Sequence, residues 1–195
     1  MCGGHERGAR IAQAPGSRSD LIVFDTSCLA YFSDTGSAGL LLERYGGRAI
    51  VPVEVEAEFR RGMEVRGRED RRALLEARWW RSHRIELIED LALFDQLIRR
   101  WGKLERNRGE AAALVAARRL GGVAVVDDRQ ARIAATDLGI PKTGTVGILV
   151  RLAVEGRLTI GEAAELHRRM VQLGFRSPVA TASLFTALVE RALET

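Results

Sequence analysis

The chain has 195 residues, 46% of them hydrophobic and 29% charged, and it carries a formal net charge of +4. This balance is typical of a globular protein of one domain and excludes an intrinsically disordered chain. Because no apolar run approaches the roughly 20 residues that span a bilayer, and the polar N-terminus lacks the apolar segment of a signal peptide, we expect a cytoplasmic protein without membrane contact.

The first predicted elements follow a polar N-terminal segment. Residues 1–18 contain four glycines and one proline and show no hydrophobic periodicity, so we predict a flexible tail before a single domain over 19–195. The apolar run LIVFD, residues 21–25, predicts a buried central strand that ends in the carboxylate of Asp25. A helix is expected from Cys28. The two cysteines form no disulfide framework or thiolate metal motif, and we interpret both as unpaired thiols.

The middle of the chain predicts a second strand and a less regular region. RAIV, residues 48–51, has the pattern of a short strand, and Pro52 suits the first turn of a helix that runs through Glu58 to Arg61. Further along, the pattern predicts a helix over 68–83, an edge strand at the IELIE segment 85–89 and a helix over about 91–102.

The clearest unit is in the second half of the chain. A helix is predicted from Glu110 to Leu120, followed by a double-glycine stop, the strand VAVV, and an Asp127-Asp128 pair that opens another helix. A last short strand is predicted near Ile140, and residues 146–193 have the pattern of two or three amphipathic helices. This alternation predicts an α/β fold with a central parallel sheet and helices on both faces.

Acidic residues from separate segments are expected at one edge of this sheet. The carboxyl ends of parallel strands meet there, as do the starts of the helices that lead back into the sheet. The acids are Asp25, Glu58, Glu110, Asp127 and Asp128. Because clustered carboxylates repel one another, a hard divalent cation would neutralise them. Oxygen ligands favour Mg²⁺ or Mn²⁺, either of which can activate a water and stabilise charge on a phosphate.

Each acid also has a purely structural interpretation. Glu110 could form a capping box with Asn107, Asp128 could cap the helix after it, and Glu58 could be a solvated charge. The chain contains an internal control, because Gly161-Glu162-Ala163-Ala164 repeats the pattern at residues 109–112 where no sheet strand is predicted to follow.

Three segments resemble the motifs of PIN domains. LIVFDTSCLAYF is similar to their opening motif, VPVEVEAEF to their second motif, and GEAAALVAARRLGGVAVVDDRQARIAATDLGIPKTGTVGIL to the second half of a VapC-like subfamily. The resemblance covers about residues 20–175. It implies a flavodoxin-like, three-layer PIN fold and a Mg²⁺- or Mn²⁺-dependent endoribonuclease, the toxin of a toxin–antitoxin pair. It also implies RNA as substrate, a cognate antitoxin as partner and often a homodimer.

The resemblance also assigns site residues. Asp25, Glu58 and Glu110 occupy the first three acidic positions, with the Asp127-Asp128 pair at the fourth. Which of the two is the main ligand stays open. Three hydroxyl residues match positions that support or line the site, namely Thr26, Ser27 and Thr143.

The basic middle of the chain is a candidate RNA-binding segment. Residues 60–108 carry 14 Arg and Lys against 9 Asp and Glu, and arginine binds phosphate through a planar fork. The predicted contacts are Arg71, Arg72, Arg78 and Arg81. Trp79 and Trp80 could stack bases, although adjacent tryptophans more often pack a helix. Arginine richness can also reflect genomic base composition.

Other classes of protein fit less well. A haloacid dehalogenase phosphatase needs a second Asp two positions after Asp25, where Ser27 stands. A receiver domain needs its acidic pair earlier in the chain and a late lysine, for which Lys142 is a poor candidate. The alternative that stays open is a catalytically weak or inactive PIN-like protein that binds RNA or a protein partner.

Overall fold

The structure is a computed structural model that describes residues 20–66, 70–102 and 107–194. The predicted tail at 1–18 lies outside these residues, so its boundary stays a prediction. The described ranges contain a five-stranded sheet in the order β3-β2-β1-β4-β5, and every pair of neighbouring strands is parallel. The strands are β1 (Ile22–Phe24), β2 (Ala49–Pro52), β3 (Arg81–His83), β4 (Val123–Val125) and β5 (Lys142–Thr143).

Helices cover both faces of the sheet, as the alternation of elements predicts. One face carries α1 (Thr26–Asp34), α2 (Ala38–Tyr45), α3 (Val53–Arg66), α4 (Asp70–Glu76), α8 (Thr145–Val154), α9 (Ile160–Gln172) and α10 (Ala182–Leu193). The other carries α5 (Ile88–Trp101), α6 (Arg108–Leu120) and α7 (Arg129–Asp137). The prediction of a three-layer α/β fold with a central parallel sheet is confirmed.

The central strand β1 shows how the two cores are divided. Its side chains alternate between the faces, so that Phe24 packs with the first helix group and Val23 with the second. Both are fully buried. Burial on both faces explains why the strand is a continuous apolar run.

Two predicted element boundaries near the site are corrected. Helix α1 begins at Thr26, two residues before Cys28, because Asp25 serves as its N-cap. Pro52 is the last residue of β2, opposite His83 of β3, and the helix begins one residue later at Val53. Proline is tolerated there because it is the last residue of β2, beyond the residues that pair with β1.

The edge strand itself is wrongly predicted. It lies at 81–83 and pairs with β2, whereas residues 85–89 form no strand and α5 begins at Ile88. The predicted helix over 68–83 ends at Glu76, and Arg78 follows in a left-handed conformation with φ of 44°. Trp79 is then buried against Phe24, which redirects the chain into the sheet.

The C-terminal part contains three helices in the region where two or three were predicted. Helix α6 ends at Gly121, whose φ of 65° gives the left-handed cap that the double glycine predicts. No helix in the described ranges is long and apolar enough to cross a membrane.

Candidate active site

Asp25 lies at the centre of the carboxyl edge of the sheet. Its backbone N–H continues the β1–β4 ladder by donating to the carbonyl of Val125 at 3.2 Å. The side chain is buried, and Oδ1 accepts a hydrogen bond from the Cys28 N–H at 3.2 Å, which caps α1. Oδ2 is also buried and has no hydrogen-bond partner among the described residues. A buried carboxylate oxygen left in this way is costly, so its position needs a functional explanation.

Other acids act on Asp25 through space. Burial raises the pKa of Asp25 well above its ordinary value, and the charges of Asp127, Glu110 and Glu58 raise it further. The hydrogen bond from Cys28 opposes this effect on the pKa. The structure therefore brings three of the other predicted acids within electrostatic reach of Asp25.

Asp127 follows β4 and is held by the N-terminus of α8. Its Oδ1 accepts from the Thr145 N–H at 2.8 Å and its Oδ2 from the Thr145 hydroxyl at 2.5 Å. Burial raises the pKa of Asp127, whereas these two bonds and the nearby charge of Arg132 lower it. A carboxylate at the start of a helix is also favoured by the helix dipole.

Asp128 has a different role from its neighbour. It is exposed and is the N-cap of α7, accepting from the N–H groups of Gln130 at 2.7 Å and Ala131 at 3.2 Å. Of the pair, Asp127 is the one whose charge acts on Asp25. Asp128 forms the helix cap that was its structural interpretation in the sequence.

Glu58 reaches the site from α3 and is bound by a predicted supporting residue. Its Oε2 accepts from the Thr26 hydroxyl at 2.9 Å. Burial raises the pKa of Glu58, and Thr26 and Arg61 lower it. The close approach requires Gly109, because a Cβ there would lie 2.7 Å from Glu58 Oε2 and 3.0 Å from Thr26 Oγ1.

Glu110 lies in the first turn of α6 and is half-buried. Within the described residues, the side chain of Asn107 makes no capping hydrogen bond to this helix, so the capping box proposed for Glu110 is not formed. At Glu162 the capping box is complete, and Thr159 and Glu162 bond each other reciprocally. Glu162 is exposed and distant from the sheet edge. The repeated sequence pattern thus has two different structural environments.

The hydroxyl residues divide between two places. Thr26 and Ser27 line a cavity of about 560 Å³ together with Glu58. Thr143 ends β5 and lines a separate cavity near the start of β1 and β4. Within the Thr-Gly-Thr segment, the threonine that contacts an acid is Thr145, which binds Asp127 and which the sequence did not single out.

Among the predicted RNA contacts, the arginines differ in accessibility. Arg71 is buried and forms a bidentate ion pair with Asp34, at 2.9 Å from Nε and 2.8 Å from Nη2. Its guanidinium therefore joins α4 to α1 and is not presented to solvent. The exposed members of the set are Arg72, Arg78 and Arg81.

The two tryptophans pack within the protein and are not displayed for stacking on bases. Trp79 is buried, and its ring makes an edge contact with Phe24 at 5.7 Å between centroids. Trp80 is half-buried and donates from Nε1 to Glu56 at 2.6 Å.

The side chains at the sheet edge are not assembled as a metal site. Within residues 20–66, 70–102 and 107–194, no group of three or more His, Cys, Asp or Glu side chains is arranged to hold an ion. The donor set is nevertheless suitable, since it consists of carboxylate oxygens, one of them the buried Oδ2 of Asp25.

Comparison with known proteins gives one match. The sequence profile described as a PIN domain matches residues 21–191, which include all of the strands described above. No curated protein and no solved structure matches the chain.

Proposed function

The chain belongs to the PIN-domain family, and from that premise we propose that it is a ribonuclease that uses Mg²⁺ or Mn²⁺ to hydrolyse RNA phosphodiesters. PIN domains have a nuclease-like fold, act on nucleic acids and typically use divalent metal ions. The observation that carries the proposal is the buried Asp25, whose Oδ2 has no hydrogen-bond partner among the described residues. A buried carboxylate oxygen without a partner calls for a specific explanation, and a bound cation would supply one for Asp25.

We assign the metal to Asp25, Glu110 and Asp127. A divalent cation bound there would activate a water for attack on phosphorus and offset the charge that develops on the phosphate. Asp25 is fixed by the Cys28 N–H, and Asp127 by both donors of Thr145, so each keeps one orientation. Asp128 supports this arrangement indirectly, by capping the helix that follows Asp127.

We assign Glu58 to the proton of the attacking water. Burial raises its pKa, which brings this carboxylate closer to the range in which it can accept and release a proton near neutral pH. Thr26 holds Oε2, and Oε1 is left to the cavity that Glu58 lines with Ser27. Cys28 is unsuited as a nucleophile, because burial and the charges of Asp127 and Asp25 raise its pKa and keep the thiol protonated.

The VapC-like character of residues 109–149 extends the proposal to a toxin of a toxin–antitoxin pair. Expression of the wild-type chain would then arrest growth, and Asp25→Asn would not. A binding-only protein is the alternative, and it predicts RNA retention without cleavage.

The test is cleavage of labelled single-stranded RNA by the purified chain. We expect fragments with Mn²⁺ or Mg²⁺ and intact RNA with EDTA, and loss of cleavage in Asp25→Asn. RNA that is bound but intact in Mn²⁺ would support the binding-only alternative. Cleavage that persists in EDTA would contradict the metal assignment.

A further inference from the structure

A third cavity lies against Asp127. It has a volume of about 620 Å³ and lies between α7, β5 and the start of α8. Asp127 and Gly144 belong to its wall. Four cationic residues also line it, namely Arg129, Arg132, Lys142 and Arg176, together with apolar residues such as Ile133 and Val146. We call this cavity the α7–β5 cleft.

The ion pairing of the cations in the α7–β5 cleft is limited. In the part of the chain that the structure describes, none of the four forms an ion pair with a carboxylate, although the charge of Arg132 acts on Asp127 in the same wall. Part of the hydrogen-bonding capacity of the Arg132 guanidinium is already used, since Nη1 donates to the carbonyls of Val126 and Thr143 at 3.1 and 3.2 Å. Arg129 and Arg176 are exposed and available to a ligand.

The α7–β5 cleft adjoins the acid cluster. Asp127 belongs to both, and a Cβ at Gly144 would lie 2.6 Å from its Oδ1, so glycine lets the backbone approach this carboxylate closely. Burial and then the charges of Asp127 and Asp25 raise the pKa of Tyr31, and the charge of Arg176 opposes them. Arg176 of the α7–β5 cleft is therefore within electrostatic reach of a residue that lines the cavity beside Glu58.

We propose that the α7–β5 cleft binds the phosphate backbone of a single-stranded RNA on one side of the bond that is cut. This inference rests on the proposed function, because it takes the acid cluster as the reacting centre. Arg129, Lys142 and Arg176 provide the positive charge that a phosphate backbone requires, beside acids that would otherwise repel it.

This path differs from the one that the basic middle segment predicts. Arg81 lies on β3 and the α7–β5 cleft lies at β5, and these strands are the two opposite edges of the sheet. The two surfaces can therefore be tested separately.

The experiment is binding of a labelled single-stranded oligouridylate in EDTA, followed by fluorescence anisotropy over a series of salt concentrations. The cleft variant is Arg129→Gln/Arg176→Gln. The control is Arg99→Gln/Arg118→Gln, which removes the same charge from exposed positions on α5 and α6. A third variant, Arg72→Gln/Arg81→Gln, tests the β3 edge.

We expect the cleft variant to bind about tenfold more weakly, with the slope of log K against log salt reduced by about 1.4 for two lost contacts of roughly 0.7 each. The control should match the wild type. Unchanged affinity and slope in the cleft variant would overturn the α7–β5 path, and a loss confined to Arg72→Gln/Arg81→Gln would place the RNA at the β3 edge.

Cleavage by the same wild-type preparation in Mn²⁺ separates this inference from the proposed function. If the wild type cleaves RNA and the cleft variant binds RNA normally, the α7–β5 path is wrong but the proposed nuclease activity is retained. A wild type that neither binds nor cleaves overturns both.

Discussion

Thr145 donates two hydrogen bonds to Asp127, one from its backbone N–H at 2.8 Å and one from its hydroxyl at 2.5 Å. Both oxygens of the carboxylate are thereby fixed by the first turn of α8. Asp128, the next residue, instead bonds the backbone of α7. Adjacent and chemically identical side chains are thus used for different purposes, which substitution can separate.

We predict opposite effects for substitutions in this pair. Asp128→Ala removes a helix cap and should lower the free energy of unfolding by about 1 kcal/mol, with little loss of cleavage. Asp127→Asn keeps the shape and an acceptor for the Thr145 N–H, and its amide can donate to the Thr145 hydroxyl, so stability should change little while cleavage is lost. Urea unfolding and an RNA cleavage assay on both variants are the measurements. Loss of cleavage in a stably folded Asp128→Ala protein would reverse the assignment.

Gly109 and Gly161 provide a matched pair for the contact between Glu58 and Thr26. Both are the second residue of a helix and precede Glu-Ala-Ala. A Cβ at 109 would meet Glu58 Oε2 at 2.7 Å, whereas a Cβ at 161 meets nothing within 4 Å. We expect Gly109→Ala to displace the flexible Glu58 carboxylate and to lower cleavage on the order of tenfold to a hundredfold.

The control predicts a different outcome. Gly161→Ala should leave cleavage unchanged and stabilise the fold by up to about 1 kcal/mol, because alanine favours a helix over glycine. Both are measured as cleavage rate and melting temperature. If Gly109→Ala cleaves as fast as Gly161→Ala, the position of Glu58 is not important for the reaction.

Asp25→Asn should make the metal-free protein as stable as the wild type or more stable. The ionised Asp25 is destabilised by burial and by Asp127 and Glu110, and asparagine removes its charge while retaining an acceptor for the Cys28 N–H. Because the shift of the pKa is upward, removal of the charge is expected to increase the stability of the metal-free protein at neutral pH. Scanning calorimetry in EDTA provides the measurement.

Addition of Mg²⁺ should then raise the melting temperature of the wild type but hardly that of the variant. A ligand bound only by the native state contributes about 2.7 kcal/mol at a hundredfold excess over Kd. Ionic strength must be matched so that screening is not mistaken for binding. A variant that melts lower than the wild type in EDTA, together with a wild type that does not respond to Mg²⁺, would make Asp25 an ordinary structural carboxylate.

The difference in stability between wild type and Asp25→Asn should depend on pH. Because the folded-state pKa of Asp25 is raised, the native protein holds its proton at a pH where the unfolded chain has released it. The stability due to this proton is present below about pH 3.9 and is lost as the pH rises toward the raised native pKa. In urea unfolding from acidic to neutral pH in EDTA, the free energy of unfolding of the wild type should decrease relative to that of the variant. A constant difference would show that the two states share one pKa.

Local patterns were sufficient to predict most of the fold. The apolar LIVFD run predicts a strand buried on both faces, and β1 has that environment. The edge strand could not be found in this way, because β3 is the polar segment Arg-Ser-His and its pairing depends on Trp79 packing against Phe24. That contact joins residues distant in the chain, and no local periodicity reports it.

The site shows the same division. Placing acids after strands identifies Asp25 and Asp127, because strand ends are visible in the sequence. The separate roles of Asp127 and Asp128 depend on their hydrogen bonds to Thr145 and to the α7 backbone. The burial of Arg71 depends on its ion pair with Asp34, which is distant in the chain. The importance of Gly109 likewise depends on Glu58, fifty-one residues earlier.

The most direct test of the central claim compares Glu110→Gln with Glu162→Gln in Mn²⁺-dependent cleavage of single-stranded RNA. Both glutamates occur in Gly-Glu-Ala-Ala, but Glu110 lies beside Asp25 and Glu162 caps α9. We predict that Glu110→Gln slows cleavage on the order of a hundredfold or more, to the level seen in EDTA, and that Glu162→Gln cleaves like the wild type. Equal rates in the two variants would contradict the claim that the acids at the carboxyl edge of the sheet form the catalytic metal site.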